Sequence, residues 1–93
     1  MNTNARHLTE SDVWQIATGR HGQACVIRFV SYSLRDVDGT DHIHNAAVLT
    51  IDGDAVADSE FPEGYMGPAA ARLLCERKIG GPLIWTTVLH RTF

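Results

Sequence analysis

The sequence predicts a small α+β domain: one four-stranded mixed sheet with helices mainly on one face, in the order α-β-β-β-α-β. Three observations lead there. Ala24 to Leu34 (ACVIRFVSYSL) is a run of β-branched and aromatic residues. His42 to Ile51 alternates and meets Asp52-Gly53, a pair suited to a tight hairpin because both central residues of a type I′ turn need positive φ. Gly67-Pro68 followed by Ala69 to Lys78 has the composition of a helix with proline in its first turn.

Taken in order, residues 1–8 are polar and are expected to be a flexible start to a single domain covering residues 1–93. Leu8 to Asp12 then offers a helix start, with Thr9 as cap and Asp12 three residues on. Val13, Ile16 and Ala17 give an apolar stripe beside Trp14, and Gly19 ends it. The strand from Ala24 carries Cys25, Ile27 and Phe29 on one face and Val26, Val30, Tyr32 and Leu34 on the other. Asp36 to Asp41 is a turn. In the hairpin, Ile43, Ala47, Leu49 and Ile51 share one side, with His42, His44 and Thr50 on the other. Ala55 to Ala57 is a weak return strand. Ala70, Leu73 and Leu74 mark the buried stripe of the second helix, and Gly80-Gly81-Pro82 stops it. Leu83 to Phe93 is read as a last strand. A right-handed crossover places it parallel to the Ala24 strand, with spatial order 4-1-2-3.

Net charge is −3, but its distribution is uneven. Between Asp36 and Ala71 there is no Lys or Arg, and eight of the eleven carboxylates fall there: Asp36, Asp38, Asp41, Asp52, Asp54, Asp58, Glu60 and Glu63. These cluster at two turns and a loop. They are read as one negative patch that attracts a basic protein partner, with Tyr65 and Met66 as contact residues beside it. The plainer alternative is that Asp and Glu simply solvate loops.

Other chemistries are less well supported. His42 and His44 stand one residue apart, so on a strand they point the same way and can chelate a divalent metal if neighbours add ligands. Asp36, Asp38 and Asp41 around Gly39 do not follow the calcium-loop order, since the glycine comes too early. Gly19 to Gly22 lacks a P-loop lysine. No serine elbow is present, and Cys75 sits mid-helix, away from an activating N-terminus. Arg28, Tyr32 and Arg35 make only a thin basic stripe, so direct nucleic-acid binding is not expected. Cys25 and Cys75 read as buried thiols. There is no signal peptide and no membrane-length apolar run, so a cytoplasmic protein with no membrane contact and no cofactor is expected.

The expected role is a non-catalytic interaction module of accessory or inhibitor type. A metal-binding protein using His42 and His44 is the alternative, and a small enzyme comes third. The last strand, if it is an unguarded sheet edge, predicts an isologous homodimer through Trp85, Val88 and Leu89. The competing expectation is a helix carrying Trp14 that covers this strand and leaves a monomer.

Overall fold

The computed structural model describes the backbone of residues 6–90 and the side chains of residues 11–90. It contains β1 (Arg6–Thr18), β2 (Ala24–Arg35), β3 (Asp41–Ile51), β4 (Asp54–Val56), α1 (Pro68–Ile79) and β5 (Thr86–Thr87). The strands form one five-stranded sheet in the order β4-β3-β2-β1-β5, and every pairing is antiparallel. The expected α-β-β-β-α-β order, the four-stranded mixed sheet and the pair of helices are therefore corrected: there is one helix and no parallel pair among the described residues.

The main correction is at the N-terminus. The stretch expected to cap and begin a helix at Leu8 to Asp12 is part of β1, which pairs with β2 from Arg6↔Leu34 to Thr18↔Ala24. Arg6 to Leu8 are thus strand rather than a loose lead; residues 1–5 lie outside the described residues. Two irregularities explain the misreading. The register slips between Leu8 and Glu10 and again between Val13 and Gln15. A bulge puts two residues opposite one and breaks the period of two. As a result Trp14, Gln15 and Ala17 are all buried, a spacing that imitates one face of a helix.

β2 is the central strand. Cys25, Ile27 and Phe29 are buried on the face under the helix, while Arg28 points outward on the other. Its partner β3 sets Ala47 opposite Phe29, Leu49 opposite Ile27 and Ile51 opposite Cys25. The turn to β4 is the expected two-residue one: Ile51 pairs with Asp54, and Asp52 and Gly53 have φ of 52° and 85°. The Asp52 carboxylate also accepts from the Ala24 amide at 2.8 Å, tying the turn to the start of β2.

α1 begins at Pro68, whose missing N–H costs nothing at a helix start. It ends at Gly80, in the left-handed region at φ 100°, with the Gly80 amide on the Glu76 carbonyl at 2.8 Å. Its buried residues are Ala71, Leu74 and Cys75; the expected stripe of Ala70, Leu73 and Leu74 is off by one position, and Leu73 is 64% exposed. Both sets follow i, i+3, i+4 spacing, so composition alone does not separate them. The core packs these helix residues against Trp14, Ala17, Cys25, Ile27, Phe29, Ala47, Leu49 and Met66.

The last strand is also corrected. It is antiparallel, two residues long, and pairs Thr86 and Thr87 with Ile16 and Gln15 of β1. Residues 91–93, the expected end of that strand, lie outside the described residues. A buried polar link joins this edge to the helix. The Gln15 amide donates to Thr87 Oγ1 at 3.0 Å and accepts from Arg72 at 3.1 Å, while the Arg72 guanidinium sits 5.4 Å from the Trp14 ring centre. Hydrogen bonds and a cation–π contact through Arg72 thus tie α1 to the bulged strand.

Candidate protein interface

The carboxylates between Asp36 and Glu63 fall into separate groups. Asp36, Asp38 and Asp41 sit at the β2–β3 turn, whereas Asp52 and Asp54 sit at the other end of β3. Eleven residues of strand lie between, about 33 Å at the usual rise. The first group is largely engaged in local contacts. Asp41 accepts a two-pronged contact from Arg35 at 2.9 and 3.2 Å. Asp36 lies 2.7 Å from His42 Nε2. The Thr40 amide donates to Asp38 at 2.9 Å and holds its carboxyl below the usual range.

The second group follows the sheet edge: Asp52 and Asp54 at the β3–β4 turn, then Asp58, Glu60 and Glu63 in the loop after β4. Asp58 organises that loop. One of its oxygens accepts from the Glu60 and Phe61 amides at 3.0 and 2.9 Å, and the other takes Arg77 of α1 at 3.2 Å. The local pattern is a polar side chain bonding backbone two and three residues on, which is why Asp suits the position. This clamps the loop beside the helix and leaves a cleft of about 370 Å³ between them. Ala70, Leu73, Leu74 and Phe61 form its apolar lining; Asp58, Glu60 and Arg77 form its polar one. Among the described residues no cation pairs with exposed Glu60 or Asp54, whereas Arg77 is held by Asp58. Leu73 and Phe61 were missed as surface residues. The signal for Leu73 was the second helical register that contains Cys75.

Tyr65 and Met66 divide between two roles. Met66 is buried at 4% exposure and bridges Ala47 through paired backbone bonds of 2.7 and 3.0 Å. It plugs the core edge. Tyr65 is half-buried and its ring lies 4.8 Å from that of Tyr32, which in turn stacks on His44 at 5.6 Å.

His42 and His44 lie on one face of β3, with ring centres 6.5 Å apart. His21 belongs to the β1–β2 turn, at the far end of β2 from this pair. Among the described residues no group of three or more His, Cys, Asp or Glu side chains converges as a metal site.

Of the expected dimer residues, Trp85 and Leu89 are half-buried and Val88 is 55% exposed. The Val88 amide donates to the Trp14 carbonyl at 2.8 Å, so this segment is tied to β1. Cys25 and Cys75 are free and fully buried. Burial, reinforced by contact with Cys25, pushes the Cys75 thiol up to about 12, far from a reactive thiolate.

No protein-family model, curated protein or solved structure matches this chain. Among the described residues no helix is long and apolar enough to cross a membrane.

Proposed function

We propose that this chain is a non-catalytic interaction module that offers an acid-flanked apolar cleft to a basic partner. The observation that carries the reading is the cleft between the Asp58–Phe61 loop and α1. An exposed leucine beside the Glu60 carboxylate, with Asp58 already held by Arg77, suits a segment with one apolar anchor and a neighbouring Lys or Arg side chain. The anchor supplies affinity by leaving water; the charges supply on-rate and orientation. The acidic surface is narrower than the one read from the sequence, because the β2–β3 turn lies too far away to belong to it.

A fluorescein-labelled peptide with a central Leu-Leu pair flanked by lysines is a suitable probe. Anisotropy should show binding at 25 mM salt that weakens at 300 mM and falls at least tenfold with Leu73→Glu or with Glu60→Lys. Binding that ignores both substitutions would place the partner surface elsewhere.

A second reading, divalent-metal binding at His42 and His44, is favoured by one contact. The Asp36 carboxylate at His42 Nε2 fixes that ring as carboxylates do behind metal-bound imidazoles. Two imidazoles do not close such a site.

A further inference from the structure

β3 is covered on its outer side over only part of its length. β4 pairs with Leu49 to Ile51, and Met66 bridges Ala47. Both backbone groups of Ala47 therefore point outward, and by the two-residue repeat so do those of Asn45 and Ile43. Among the described residues no strand pairs with that edge between Asp41 and Ala46. It carries His42, Ile43, His44 and Asn45, with no lysine, proline or bulge to blunt it. The opposite flank of the sheet differs, because β1 is broken by two bulges. Ile43 is 65% exposed on the face that further along β3 forms the core.

The free segment has two limits: the β2–β3 turn before Asp41 and Met66 beside Ala47. A strand laid antiparallel on it must fit between them. For a second copy of the same strand, the two-fold axis then falls at Ile43, the midpoint of Asp41 to Asn45. In that register Ile43 meets Ile43 of the second copy, and Asp41 meets Asn45, so no like charges are opposed. On the other face His42 stands directly across from His44 of the second copy, and His44 from His42. Opposed side chains in an antiparallel pair have β-carbons about 5 Å apart.

We propose that a second copy of this chain pairs along Asp41 to Asn45 of β3, and that the seam gathers His42 and His44 of both copies around one divalent transition-metal ion. The inference rests on the metal reading and supplies the ligands that a single chain lacks. Asp36 occupies His42 Nε2 and leaves Nδ1 to face the ion, and the Tyr32 ring holds the His44 plane. Imidazoles sharing one zinc ion at about 2.0 Å have ring centres about 5–6 Å apart, so the 6.5 Å separation closes by small rotations of exposed side chains. Zinc, which takes four nitrogen ligands in a tetrahedron, is the natural probe.

Sedimentation equilibrium and calorimetric titration of the whole chain with Zn²⁺ test this, with EDTA as the metal-free reference. The expected result is one zinc per two chains and a dimer whose dissociation constant falls at least tenfold on adding zinc. Ile43→Pro removes an outward N–H that β2 does not use, and Ile43→Lys sets two cations together at the axis. Both should keep the circular dichroism of the native sheet and abolish the zinc-linked dimer, as should His42→Ala with His44→Ala, while Val88→Lys leaves it intact. One zinc per chain with a mass of 10.2 kDa would overturn the shared site but leave the metal reading standing. Absence of zinc uptake would overturn both. A zinc-independent dimer, or one sensitive to Val88→Lys and indifferent to Ile43→Lys, would also overturn the proposal.

Discussion

Gln15→Leu tests the link between the bulged strand and the helix. Gln15 is 9% exposed and both ends of its amide are used, one on Thr87 and one on Arg72. Leucine keeps much of the volume and removes both bonds. A hydrogen bond to a charged group is worth about 1.5–3 kcal/mol and a neutral one about 0.5–1.5. Thr87 is half-exposed and can turn to water, so the net cost is about 2 kcal/mol. In a chain of this size that lowers Tm by roughly 10 °C. Arg72→Met should cost a similar amount, since it leaves the Gln15 carbonyl unpaired and loses the contact with Trp14. The double variant replaces both polar partners by apolar ones, so its cost should fall short of the sum by about 1–2 kcal/mol. Urea or thermal unfolding followed by circular dichroism reads all four corners of this cycle. Additivity within about 0.5 kcal/mol would mean that the two residues do not share a bond, and that Arg72 does not tie α1 to β1 as described.

Three further outcomes follow from single features. Gly53→Val should destabilise by at least about 1–2 kcal/mol, because a β-branched residue resists the φ of 85° there; an unchanged melting temperature would contradict the turn. Leu49→Ala, at 1% exposure opposite Ile27, should cost about 2–4 kcal/mol in urea unfolding, and a loss under about 1 kcal/mol would move Leu49 out of the core. The Cys75 thiol is raised by burial to about 12 from an ordinary 9.0, so between those pH values only the folded chain keeps it neutral. That contribution is complete below pH 9 and is lost as pH rises toward 12, because the unfolded thiol ionises first. The fall in urea midpoint between pH 8 and pH 10.5 should therefore be shallower in Cys75→Ala; equal slopes would refute the assignment.

The β2–β3–β4 part of the sheet was legible from residues alone, whereas β1 and the pairing of the last strand were not. Asp52-Gly53 declares its turn because the conformation it needs excludes most other pairs, and the observed φ values are of that kind. Ala24 to Leu34 reads as a strand because its β-branched and aromatic residues leave little alternative, and the strand runs to Arg35. β1 was hidden because the slip at Trp14 converts a period of two into a helical spacing, and a bulge has no mark in a single sequence. The last strand was overestimated for a different reason. Leu83 to Leu89 has strong β-propensity, yet only Thr86 and Thr87 form ladder pairs with β1, the Val88 and Leu89 amides share the Trp14 carbonyl, and Ile84 is left 90% exposed. Propensity describes a fit to a half-buried pleat, not the presence of a neighbour.

The candidate surfaces show a similar limit. Carboxylates close in sequence were read as one patch, but an extended strand carries its two ends far apart. His42 and His44 do share a face, as the spacing requires. Which of their neighbours would orient them, Asp36 and Tyr32, depended on the β2–β3 register, in which His44 meets Tyr32 and His42 meets Leu34.

The most direct test of the interaction reading is a ¹H–¹⁵N chemical-shift map recorded while the lysine-flanked Leu-Leu peptide is added at low salt. Shifts confined to Asp58–Phe61, Ala70, Leu73 and Arg77, and reversed by 300 mM salt, are the predicted result. Shifts centred on other residues, or none at millimolar peptide, would contradict it.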